Sequence, residues 1–150
     1  MKTVLIIIGV SALVLIGGVW LSSSSRNPDP NIISRNGLHT HPQLEIYVKG
    51  QRQDIPANIG VGGQYASMPT YDQGMRMTAM HTHEPGGTIH LEFPATVTKE
   101  DIRLGNFFRI WGKDFMEFGS SVNMMVNGTS STELEKYEMQ DGDKIELRYE

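Results

Sequence analysis

The chain has 150 residues, contains no cysteine and carries a formal net charge of −4. The absence of cysteine excludes disulfides, thiolate metal ligands and cysteine nucleophiles. The acidic balance provides no basic surface of the kind that nucleic-acid-binding proteins carry, so we expect no nucleic acid partner. Because disulfides are excluded, the folded part must be held together by its hydrophobic core.

An apolar helix is the first predicted element. Residues 3–21 form an uncharged run of 19 residues, which as a helix spans roughly 28 Å, close to the bilayer core of about 30 Å. We predict a transmembrane signal anchor over residues 1–21, with cleavage near "VWLSSSS" as the alternative. Lys2 precedes the run, so the positive-inside rule places the C-terminal domain outside the cytoplasm as part of a single-pass protein of the cell membrane.

A polar segment separates this anchor from the domain. Residues 22–36, "SSSSRNPDPNIISRN", are rich in serine, asparagine and proline, which is typical of a flexible linker. The sequence therefore predicts three parts, which are the anchor (1–21), the linker (22–36) and an extracytoplasmic α+β domain (37–150).

Apolar periodicity predicts strands, then one helix, then further strands. "LGNFFRIWG" has the spacing of a buried helical stripe with a glycine stop, and residues 60–74 form a long glycine-containing loop. We expect an α+β fold in which one helix covers a mixed β-sheet, with a small β-barrel or sandwich as the alternative. The residues predicted to face inward on the strands are Leu44, Ile46, Val48, Ile89, Leu91, Phe93, Val122, Met124, Val126, Ile145, Leu147 and Tyr149.

All five histidines lie in two short stretches, "GLHTHPQ" and "MHTHEPGGTIH". In an extended segment His81 and His83 point the same way, and Thr82 points away. "PGG" predicts a chain reversal after them, so His90 can return beside the pair on a neighbouring strand. Three converging imidazoles are a ligand set for zinc or copper. The site then depends on whether the register of the two arms brings His90 to the same face.

The remaining polar residues leave several arrangements open. Three alternatives are open for His39 and His41: they complete the same site, they form a second one, or they take no part in metal binding. Glu84 or Glu92 is a candidate fourth ligand, or a carboxylate that orients an imidazole. The alternative interpretation is that these histidines only form hydrogen bonds at strand ends.

Four methionines precede the second His-Thr-His motif. Thioethers favour copper(I) over zinc, so this run slightly favours copper, whereas gap-filling in the core is the alternative role. The four are Met68, Met75, Met77 and Met80.

Several blocks resemble a family of small membrane-anchored or exported microbial domains. These blocks are "LHTHPQLEIYVKGQ…IPANIG", "MHTHEPGGTIHLEF", "LGNFFRIWGKDF" and "VNG…DGDKIELRYE". The resemblance covers about residues 37–150 and implies that domain boundary, without implying an activity. Methionine does not regularly precede the second His-Thr-His motif in that family, so the resemblance favours histidine as the ligand.

Two shorter resemblances concern the fold. The last third, from the helix to "DGDKIELRY", is similar to the end of β-grasp domains, which implies a helix packed across a mixed sheet. Gly74, His81 and His83 resemble the first cupin motif, but the glutamate spacing departs from that motif and the second motif is missing.

Three functions follow as expectations. The first is an extracytoplasmic domain that binds copper or zinc for sequestration, for delivery or as an accessory to a membrane protein complex. The others are a metal-independent interaction module and a metal-dependent enzyme of cupin-like or hydrolytic type. The sequence contains no phosphate loop, Gly-x-Ser-x-Gly or His-Glu-x-x-His motif, so we expect no catalytic residue set of these types.

Overall fold

A computed structural model describes residues 29–150 of the chain. The predicted anchor and most of the predicted linker lie outside the described residues. Within residues 29–150, no helix has the length and apolar character needed to cross a bilayer.

The described chain contains twelve strands and one α-helix. The helix α1 spans Leu104–Trp111. The strands are β1 (Ile32–Ser34), β2 (Leu38–Thr40), β3 (Gln43–Val48), β4 (Gln51–Gln53), β5 (Tyr71–Asp72), β6 (Met77–Thr78), β7 (Met80–His81), β8 (His90–Phe93), β9 (Val97–Thr98), β10 (Val122–Val126), β11 (Thr129–Ser131) and β12 (Lys144–Tyr149).

The compact unit begins at Asn31, ahead of the predicted boundary at residue 37. Its first strand, β1, pairs antiparallel with β9, and Ile32 lies opposite Thr98. Residues 32–34, which the sequence assigned to the linker, therefore belong to the sheet structure of the domain.

The largest sheet has the order β11-β10-β12-β3-β4. The strands β3 and β12 are parallel, and the other neighbours are antiparallel, so the sheet is mixed as predicted. A turn with positive φ at Asn127 and Gly128 joins β10 to β11, the conformation that an Asn-Gly hairpin turn requires. Together with α1, this mixed sheet confirms the predicted α+β class.

The helix stripe and the strand alternation meet in one core. Leu104, Phe107 and Phe108 of α1 are buried in the same cluster as Leu147 and Tyr149 of β12. The helix ends at Gly112, which adopts the left-handed conformation with φ of 76°, as the glycine stop predicts.

A separate three-stranded sheet, β2-β8-β7, has β8 at its centre. Met80 of β7 and Leu91 of β8 are buried in the common core. Because strand side chains alternate, the neighbours of these residues in sequence occupy the opposite face. That opposite face carries the histidines.

Candidate metal centre

Strand register brings the second histidine stretch together. His81 of β7 lies directly opposite His90 of β8 in an antiparallel pair. Directly opposed residues share one face of the sheet, with Cβ atoms about 4.5–5.5 Å apart. The register required by the sequence hypothesis is therefore the one adopted.

His83 joins this pair beyond the end of β7. Its Nε2 lies 3.1 Å from His81 Nε2, and its ring centroid lies 4.7 Å from that of His90. One potential ligand atom from each of the three residues lies within 4.8 Å of the others. Nitrogens bound to a tetrahedral zinc ion at about 2.0–2.1 Å are about 3.3 Å apart. Modest side-chain rotations therefore suffice to reach coordinating positions.

The protonation of His81 is fixed by a backbone carbonyl. His81 Nδ1 lies 2.9 Å from the carbonyl oxygen of Thr78, and because a carbonyl only accepts, Nδ1 is the donor. In the neutral ring the lone pair is then on Nε2, the atom that faces His83. Metal-ligating histidines are commonly oriented in this way by a carbonyl or carboxylate on the other nitrogen.

Hydrogen bonds of Thr82 fix the position of the second His-Thr-His motif. Its Oγ1 donates to the carbonyl of Pro56 at 2.9 Å and accepts the Ile59 amide at 3.1 Å. Its backbone amide donates to the Ile59 carbonyl, and its carbonyl accepts the amide of Asn58. Thr82 is buried, so these four bonds fix the segment and direct the two flanking histidines to the opposite side.

The long glycine-containing loop packs against the same segment at Gly60. This residue has φ of 77°, and a Cβ atom there would lie 2.6 Å from the Met80 carbonyl oxygen and would overlap Thr78 Oγ1. The Thr78 amide also donates to the Gly60 carbonyl at 2.8 Å. Neither Thr78 nor Gly60 stood out in the sequence as part of a site, because both act through backbone contacts that no spacing rule indicates.

The first histidine motif reaches the same face from β2. His39 lies opposite Glu92 of β8, and the ring centroids of His41 and His90 are 4.7 Å apart. His39, His41 and His90 form a second group whose potential ligand atoms lie within 4.8 Å of one another. The amide of His41 donates to Asp141 Oδ1 at 2.9 Å, which ties this motif to the turn before β12.

We call His81, His83 and His90 the inner triad, and His39, His41 and His90 the outer triad. His81 is fully buried, whereas the side chain of His39 is 63% exposed and that of His90 is 22% exposed. His90 belongs to both triads. The five predicted ligands thus form one continuous cluster and not two separate sites.

The two candidate carboxylates differ in their contacts. Glu92 Oε1 lies 3.0 Å from His39 Nε2 and 3.8 Å from His90 Nδ1. The first distance is that of a hydrogen bond and the second is too long for one. Glu84 is exposed and joins neither of the two triads. Glu92 is therefore the carboxylate placed to orient an imidazole.

Burial favours the neutral form of His81 and His90. It lowers the pKa of His81, partly offset by the hydrogen bond to the Thr78 carbonyl. Burial also lowers the pKa of His90, and the neighbouring His83 and His41 lower it further. Neutral imidazole is the metal-binding form, so both shifts favour metal binding over protonation.

The methionines that precede the second His-Thr-His motif do not share one position beside this cluster. Met80 is buried in the core, on the face of β7 opposite His81, where it fills space. Met75 is exposed in the turn before β6, and Met77 begins β6, so the two do not share a strand. The core-filling role is the observed one for Met80.

A large cleft lies elsewhere, beside α1. It has a volume of about 720 Å³ and is lined by residues that include Met68, Met80, Phe93, Arg103 and Arg109. Basic and acidic side chains both line it, and none of the histidines does. This cleft is therefore not part of the histidine cluster.

Comparisons of the chain with protein-family models, with curated proteins and with solved structures gave no match.

Proposed function

We propose that the domain binds a transition metal ion, zinc or copper, through the inner triad of His81, His83 and His90. The observation that carries this proposal is the register of β7 and β8, which sets two imidazoles face to face with a third beside them. The Thr78 carbonyl leaves the lone pair of His81 on the nitrogen that faces His83. Structural and catalytic sites for zinc and copper use imidazole nitrogens in this way.

The donor set favours divalent ions. Imidazole nitrogen suits Zn²⁺ and Cu²⁺, whereas copper(I) is selected by thiolate and thioether ligands. The methionine nearest in sequence, Met80, is directed into the core. Zn²⁺ and Cu²⁺ are therefore the ions to test first.

Metal sequestration or delivery is the role that we propose for this site. The N-terminal apolar run supports an anchored domain outside the cytoplasm, where it would serve alone or beside a membrane complex. Exposed histidines on the same face as the buried one give an ion access from solvent. Hydrolysis is less well supported, because Glu92 already pairs with His39, and Glu84 is exposed and joins neither triad.

The test is metal affinity in matched variants of the full chain, purified in mild detergent with a tag that lacks histidine. We expect one equivalent of Zn²⁺ or Cu²⁺ to bind the wild type. His83→Ala and His81→Ala/His83→Ala should each lower affinity by at least about 100-fold, given that loss of orienting partners alone costs about 10–100-fold. Glu84→Gln is the control and should bind as the wild type does. Equal affinity in wild type and the double variant would falsify the proposal.

For the fold, we propose a β-grasp arrangement of the five-stranded sheet. Its support is a hairpin of β3 and β4, then α1, then a hairpin of β10 and β11, with β12 parallel to β3 at the centre. An experimental structure without the parallel β3–β12 pair would contradict this assignment.

A further inference from the structure

We infer that the cluster offers one metal ion two alternative positions, the inner and the outer triad, and that the ion passes between them by exchanging ligands around His90. This inference rests on the proposed function and adds a transfer route to it. It assigns to His39 and His41 a role in loading and release, distinct from tight binding.

The shared position of His90 is the first support. Its ring centroid lies 4.7 Å from that of His41 and 4.7 Å from that of His83. Each triad is by itself compact enough to hold an ion. An ion moving from one triad to the other can therefore stay beside His90 while the other two ligands are replaced.

The buried Nδ1 of His90, which lacks a hydrogen-bond partner among the described residues, is the second support. A neutral imidazole has one lone pair, on whichever nitrogen lacks the proton. His81 has its proton fixed on Nδ1 by the Thr78 carbonyl. In contrast, His90 Nδ1 is buried and has no hydrogen-bond partner among the described residues. The tautomer of His90 is therefore not fixed, and either nitrogen can present the lone pair.

The single lone pair of the neutral His90 ring limits the cluster to one bound ion. Because the neutral ring binds one ion at a time, the two triads are alternatives for a single ion. A buried polar atom without a partner is disfavoured in proteins and calls for an explanation such as an ion. Coordination at the shared position supplies that partner.

Exposure and charge give the two positions different roles. His39 and His41 are exposed, and the carboxylate of Glu92, 3.0 Å from His39 Nε2, adds negative charge that attracts a cation. The inner triad contains the fully buried His81 and only one exposed member, His83. The outer triad is thus the more accessible position for exchange with solvent or with an acceptor, and the inner triad the more protected one.

Transfer kinetics test the inference. The full chain, without a histidine tag, is loaded with Zn²⁺ alone, and release to a chromophoric chelator is followed by stopped flow. We expect His39→Ala/His41→Ala to bind one equivalent through the inner triad but to release it at least about tenfold more slowly, as expected for loss of a ligand-exchange route. Because both residues are exposed, this variant should keep the unfolding midpoint of the metal-free wild type.

Further variants separate the possible results. His81→Ala/His83→Ala should retain weak binding of one equivalent through the outer triad. His83→Ala alone tests the same point without replacing the buried His81. His90→Ala should weaken both positions. An unchanged release rate in His39→Ala/His41→Ala would mean direct exchange through His83 and would overturn the inference. Two equivalents bound to the wild type would also overturn it, since the positions would then be occupied together. In both cases the inner site, and hence the proposed function, would stand.

Discussion

His81 and His90 lie directly opposite each other on two antiparallel strands, β7 and β8. Their rings are stacked, with centroids 5.3 Å apart and planes 13° apart. His81 is buried and held by the Thr78 carbonyl, whereas His90 lacks a partner for its buried Nδ1. One ring of the pair is therefore fixed and the other is free to change tautomer.

The two threonines of the His-Thr-His motifs should differ sharply in their effect on stability. Thr82→Val removes a hydroxyl that bonds both Pro56 and Ile59, so two backbone groups lose their partner, at a cost of about 1–3 kcal/mol in unfolding free energy. Thr40→Val is the matched control, because Thr40 Oγ1 is buried without a partner among the described residues. We expect it to be neutral or stabilising in urea unfolding of the metal-free chain. Equal losses in the two variants would contradict this account.

Glu92→Gln should weaken metal binding, and Glu84→Gln should not. The carboxylate of Glu92 places a negative charge 3.8 Å from Nδ1 of His90, a member of the inner triad, and removal of such a neighbouring carboxylate typically costs about 10–100-fold in metal affinity. Glu84 follows His83 in sequence but joins neither triad. Competition with a calibrated chelator measures both variants. The opposite order of effects would place the functional carboxylate at Glu84.

Gly60→Ala should lower both stability and metal affinity. Its φ is positive, and a Cβ there would crowd Thr78 and Met80, which position His81. Gly50→Ala is the control, since Gly50 has φ of 79° and open space around its Cβ. Both variants bear the strain of a left-handed residue, about 1–2 kcal/mol. Only Gly60→Ala should lose more unfolding free energy than this strain accounts for, and only Gly60→Ala should lose metal affinity. Unfolding and binding measurements test the two effects.

The metal-free domain should lose stability in mild acid. The pKa of His81 is lowered from 6.5 in the folded state. Between the folded and the unfolded pKa values, the unfolded chain therefore binds a proton that the folded chain does not bind. The free energy of unfolding therefore falls as the pH drops through about 6.5, until the lowered pKa of the folded state is reached. Urea midpoints at about pH 7.5 and about pH 5, with chelator present, measure this fall. His81→Asn should reduce the pH dependence, and an unchanged dependence would contradict the assignment.

Periodicity along the sequence determined the local elements. Leu104, Phe107 and Phe108 were recognisable as one helical stripe, and the alternation in "LEIYVKG" and "DKIELRYE" placed Leu44 and Leu147 in the core. Such patterns are readable because the burial of one face requires a fixed spacing of apolar residues. The same two-residue period indicated that His81 and His83 point together, away from Thr82.

Tertiary structure decided which strands became neighbours and in which register. No local pattern indicated that β2 pairs with β8, so that His39 meets Glu92, or that His81 faces His90. A shift of one residue would move every side chain of a strand to the other face, and the burial of Met80 and Leu91 in the core excludes that shift. The sequence by itself supplied five histidines in two motifs, and the packing of the core face of β7 and β8 brought them into one cluster.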